Sequence, residues 1–68
     1  MRIDLSRTEC SDLIDEWILH ERDREIMKRR LLDAITYERL AEEFNMSIRG
    51  IQYVVDRNRK ILLKHLPK

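Results

Sequence analysis

Apolar residues recur along the chain at the spacing of one helix face, and polar breaks divide the recurrence into segments. Cys10, Leu13, Ile14, Trp17 and Ile18 stand at i, i+3, i+4, i+7 and i+8, the stripe of an amphipathic helix. Ser6 followed three residues later by Glu9 has the capping-box pattern, in which each side chain satisfies a free backbone N–H. The first helix is therefore expected to start after Ser6 and run to about Leu19. The polar stretch His20-Glu21-Arg22-Asp23 interrupts the stripe, and Ile26, Met27, Leu31, Ala34 and Ile35 restart it as a second helix. Thr36 reads as the N-cap of a short third helix, with Glu38 near the positive end of its dipole and Leu40, Ala41 and Phe44 on its buried face. Asn45-Met46-Ser47 ends that pattern, because Asn tolerates the left-handed backbone of a helix C-terminus and Ser47 can cap the next helix. Ile51, Val54, Val55, Asn58, Ile61 and Leu62 then trace one face of a long fourth helix ending before Pro67. At ~1.5 Å per residue it is expected to span about 30 Å.

The expected fold is all-α: a small four-helix array with a steep crossing between residues 37–44 and 47–66. One Gly and one Pro agree with this, since strands need more turn residues. A chain of 68 residues is expected to form a single domain over 1–68. Such a domain buries only about 60% of the surface its unfolded chain exposes, so the core is marginal and leaves no room for a deep catalytic cleft. Paired carboxylates such as Asp15-Glu16 and Glu42-Glu43 are adjacent rather than facing, with no apolar pocket to raise a pKa, and the sole Gly50 forms no phosphate loop. No enzymatic activity and no cofactor are expected. His20 and His65 lack Cys or carboxylate partners at ligand spacing, so both are expected to face solvent without a metal. Cys10 is the only cysteine and lies on the apolar stripe, where it reads as inert core. A free thiol with no secretory signal points to the cytoplasm, and apolar runs as short as Ile61 to Leu63 predict no membrane partner.

Charge changes the picture through its distribution. The net charge of +1 alone argues weakly against a nucleic-acid partner. Residues 1–46, however, carry 8 Lys or Arg against 12 Asp or Glu, a balance of −4, whereas residues 47–68 carry 6 against Asp56 alone, a balance of +5. The basic end coincides with the fourth helix.

Two helices joined by a three- or four-residue turn, the first short and with the small Ala41 at mid-helix, have the form of a helix-turn-helix. The second helix would then present Ser47, Ile48, Arg49, Gly50, Gln52, Tyr53 and Asp56 to a groove about 12 Å wide. The run from Thr36 to Ser47, Thr-Tyr-Glu-Arg-Leu-Ala-Glu-Glu-Phe-Asn-Met-Ser, resembles the T-Y-x-x-[IL]-A-E-x-[LF]-x-[MV]-S signature in region four of sigma-70 family factors. The segment from Glu21 to Leu31 also resembles the helix that region four sets before its bihelical unit, so the likeness covers roughly residues 21–66. It implies a promoter-binding fold that also meets RNA polymerase. The family typically has Arg, Glu and Arg after the capping Ser, where this chain has Ile48, Arg49 and Gly50, and Asn45 replaces its usual Gly. The resemblance therefore implies no promoter sequence. A stand-alone regulator of the phage or mobile-element kind is expected, since this length has no room for the other sigma domains.

Arg49 and Gln52, one turn apart, can make bidentate bonds to guanine and adenine edges. Ser47, Ile48 and Tyr53 complete the expected base-facing set, with Ile48 suited to a thymine methyl or a protein surface. Arg57, Arg59, Lys60 and Lys64 are expected on backbone phosphates, joined by Thr36 and Tyr37 near a helix N-terminus. Each cation can equally be a solvated surface residue. Core packing is the expected role of Trp17, a dimer interface the alternative. Leu62, Leu63 and Leu66 would lie against a second copy. The partners expected are duplex DNA, RNA polymerase and a second copy of the chain. The rival reading is an interaction module that binds RNA polymerase or another regulator without reading DNA.

Overall fold

Side-chain caps decide where most of the helices begin. The computed structural model describes residues 6–66, over which the chain forms α1 (Arg7–Trp17), α2 (Glu21–Leu31), α3 (Tyr37–Phe44) and α4 (Ile48–Lys64), with no strand among the described residues. At α1 the expected capping box is present: Glu9 N–H donates to Ser6 Oγ at 3.2 Å and Ser6 N–H to Glu9 Oε1 at 3.3 Å. Arg39 N–H donates to Thr36 Oγ1 at 3.2 Å, and Gly50 N–H to Ser47 Oγ at 2.9 Å. Asn45 adopts the left-handed conformation (φ 54°, ψ 48°), and Met46 N–H reaches back to the Ala41 carbonyl at 2.9 Å, closing α3.

The bounds of the first two helices differ from the expected ones. α1 stops at Trp17 rather than near Leu19, with Ile18 extended and Leu19 exposed in the connection. The stretch His20 to Asp23, read as an interruption, is instead the N-cap and first turn of α2. Asp23 stands three residues before Ile26 and is buried, so it continues the apolar stripe with a polar side chain. At the other end α2 stops at Leu31, although Ala34 and Ile35 keep helical spacing. Ala34 has φ 54°, and the turn it makes brings Ile35 N–H to the Arg29 carbonyl at 3.2 Å. Ile35 still reaches the core, through a turn rather than a helix face.

α4 packs against each of the other three helices and is the spine of the array. Ile51, Val54, Val55 and Leu62 meet Ile14 and Ile18 of the α1 segment, Ile26 and Met27 of α2, and Leu40 and Ala41 of α3 in one core. Ile61, expected on the buried face, is only half-buried. Cys10 is buried, as expected, and burial pushes its thiol pKa up. Trp17 departs from its expected place in the core. It is 39% exposed, and its indole stacks parallel on the His65 imidazole with ring centroids 3.5 Å apart. His65, expected to face solvent, is exposed but gives one ring face to this contact, in which the last residue of α1 meets the cap of α4. α4 has 17 residues, about 25 Å at ~1.5 Å per residue, and Pro67 lies outside the described residues.

Ion pairs fix the α2 to α3 connection. Arg29 donates to both carboxylate oxygens of Glu43, and Arg30 Nη1 donates to the Ile35 carbonyl at 3.0 Å while its guanidinium lies 4.4 Å from the Tyr37 ring centroid. The start of α3 is held by the Arg30 contacts and by its own cap, and its last turn by the pair of Arg29 with Glu43. No helix among the described residues is long and apolar enough to cross a membrane.

Candidate functional site

Because α4 buries the stripe Ile51, Val54, Val55, Asn58 and Leu62, helical periodicity turns the opposite stripe outward. That outward face carries Ile48, Arg49, Gln52, Tyr53, Asp56, Arg57, Lys60 and Lys64, all exposed. Among the described residues, no carboxylate forms an ion pair with Arg49, Lys60 or Lys64. Ile48 is 43% exposed and Tyr53 64%, both large apolar bodies on a charged face.

The expected base-facing set therefore shares one surface, with a difference at Ser47. Its hydroxyl oxygen already accepts the Gly50 N–H, so the cap occupies part of its bonding capacity. Gly50 suits this geometry: a Cβ there would stand 3.1 Å from Ser47 Oγ and 3.4 Å from the Met46 methyl. The expected phosphate set is less uniform. Lys60 and Lys64 are unpaired among the described residues, Arg59 is half-buried with Nη1 3.9 Å from Asp56 Oδ1, and Arg57 is committed on one side to Asp23. Thr36 and Tyr37 lie on a different element, where Thr36 caps α3 and Tyr37 is half-buried under Arg30.

Sequence reasoning did not single out Asp23, which is 1% exposed and organises the α2 to α4 contact. Its Oδ2 accepts from Arg57 Nη2 at 2.8 Å and Asn58 Nδ2 at 3.2 Å, and its Oδ1 accepts from Arg22 Nε at 3.3 Å and Nη2 at 3.2 Å. Asn58 also donates to the Val54 carbonyl at 2.8 Å, so the buried amide is anchored within α4 as well. A signal was present in the sequence. Two polar residues, Asp23 and Asn58, occupy positions on two apolar stripes, where each needs a buried partner.

Burial of Asp23 acts to raise its pKa, but the hydrogen bonds from Asn58, Arg22 and Arg57 outweigh it and hold the carboxyl below the ordinary carboxylate range. A carboxylate whose folded pKa lies below its unfolded value, about 3.9, stabilises the fold at neutral pH and loses that contribution as pH falls through the folded pKa. Glu43, hydrogen-bonded by Arg29, shifts in the same direction. The stability of the wild type, measured by urea unfolding, is therefore expected to fall steadily below pH ~4. Asp23→Asn is expected to be less stable at pH 7 and to depend less on pH in the acid range. An Asp23→Asn protein with the full acid dependence of the wild type would trace that dependence to other carboxylates.

No protein-family model, curated protein or solved structure matches the chain.

Proposed function

We propose that this chain binds duplex DNA as a helix-turn-helix transcriptional regulator similar to region four of sigma-70 family factors, with the start of α4 in the major groove. The observation that carries the reading is the outward face of α4. Arg49 and Gln52 stand there one turn apart, with Lys60 and Lys64, unpaired among the described residues, further along, on a helix set off from α3 by the Asn45 to Ser47 turn. Arg and Gln are the side chains that read guanine and adenine edges bidentately, and the lysines suit phosphates. The short α3, closed by a left-handed Asn45 and succeeded at once by the Ser47 cap, has the form that supports such a helix.

Exposed Ile48 and Tyr53 favour a second reading, in which the same face binds a protein such as RNA polymerase. Selection from a pool of random duplexes at moderate salt, then sequencing, separates the two. The DNA reading expects an enriched motif; a two-fold motif would bring in a second copy of the chain. A protein with no salt-dependent affinity for any duplex at low ionic strength would hand the face to a protein partner.

A further inference from the structure

The buried carboxylate of Asp23 has consequences at the surface as well as in the core. Its two oxygens hold two guanidiniums, Arg22 from the first turn of α2 and Arg57 from the middle of α4, with one acid between two cations. The acid is 1% exposed, whereas the Arg22 and Arg57 side chains are 46% and 52% exposed. Arg57 spends a single N–H on Asp23 and Arg22 two, out of five each.

Neutralising a buried carboxylate needs one cation, and Asn58 already supplies a further donor. A second, like-charged arginine on the same acid adds repulsion that the fold does not require. What the pair adds is a surface of two planar guanidiniums whose orientation is set from below. Fixing them in advance removes part of the rotamer cost that a free arginine carries into a complex. A guanidinium fork matches the oxygens of a phosphate, and the Arg57 guanidinium lies 5.7 Å from the Tyr53 ring centroid, which joins the pair to the outward face of α4.

We infer that Arg22 and Arg57, held on the two carboxylate oxygens of Asp23, form a clamp for the phosphodiester backbone of DNA, extending the contact surface from α4 to the start of α2. The inference rests on the DNA reading above. Asp23 is the positioning residue, Arg22 and Arg57 the contacts.

The test is equilibrium binding of the full chain to its enriched duplex over a range of salt, for wild type, Arg22→Gln and Arg24→Gln. Arg24 lies on α2 about 160° around the helix from Arg22 and loses the same charge, so it controls for net charge. Arg22→Gln is expected to lower the steepness of log affinity against log salt by about one unit with the preferred sequence unchanged, and Arg24→Gln to leave the steepness as it is. A purely structural Arg22 would move the melting temperature and not the slope. Should Arg22→Gln fail to melt cooperatively, Arg22→Lys decides: keeping the charge without the fork, it is expected to keep the slope and bind a few-fold more weakly. Equal slopes for wild type and Arg22→Gln, an equal drop in Arg24→Gln, or Arg22→Lys binding as tightly as wild type would overturn the clamp and leave the DNA reading standing. A wild type without salt-dependent affinity for duplex would overturn both.

Discussion

Ala41→Leu is expected to lower the melting temperature of the domain severely or abolish its cooperative transition. Ala41 is 8% exposed, on the face of α3 that meets the core, and α3 lies directly on α4. Its carbonyl also receives the Met46 N–H that closes the helix. A larger side chain must push α3 off α4 or distort that closure, and extra methylenes in a packed core cost about 1–3 kcal/mol. At about 0.05–0.15 kcal/mol per residue, a chain of 68 residues has about 3–10 kcal/mol in total to lose. The shift should be roughly 4–8 °C for each kcal/mol lost. Thermal melting monitored by far-ultraviolet circular dichroism measures it. A midpoint equal to that of the wild type would mean that α3 and α4 meet somewhere other than Ala41.

On the DNA reading, Arg49→Ala is expected to weaken binding to the preferred duplex by about 1–3 kcal/mol, or about 5- to 150-fold, and to relax the preference at one base pair. Affinity for unrelated duplexes should change less. Lys60→Ala is expected to behave differently, weakening all duplexes alike and lowering the salt slope by about one unit. Both side chains are exposed, so neither change should disturb the fold. Titrations on preferred and scrambled duplexes at two salt concentrations separate the outcomes. Binding that survives alanine at Arg49, Gln52, Lys60 and Lys64 together would remove α4 as the reading element.

Much of the architecture is legible locally. Ser6 with Glu9, Thr36, and Ser47 each act within one turn of their own helix, and the contacts they make in the fold are the ones their spacing predicts. The left-handed Asn45 belongs to the same class. The stripe of α4 from Ile51 to Leu62 is equally legible, because helical periodicity alone decides which residues share a side. The outward residues from Ile48 to Lys64 are then those left over.

Expectation and structure part where a residue answers to something distant in the chain. Asp23 has the look of a break in an apolar pattern. Its partners Arg57 and Asn58 are 34 and 35 residues away, and only packing α2 on α4 brings them within hydrogen-bonding distance. Arg57 reads as a free cation for the same reason, and Arg22 receives no role. Ala34 and Ile35 keep helical spacing, but contacts from Arg30 and the start of α3 set the path of that turn. Trp17 has the spacing of a core residue, yet its surroundings depend on where α4 ends, and there it meets His65.

Residue order alone was enough for the four-helix class, the caps, the break between α3 and α4, and the identity of the outward face, since each depends on contacts within about one or two turns of helix. Which charges are free and which are spent was settled only by the packing of the helices. A buried carboxylate selects its partners by proximity in space, and proximity between α2 and α4 arises only when the apolar stripes of distant segments are buried together.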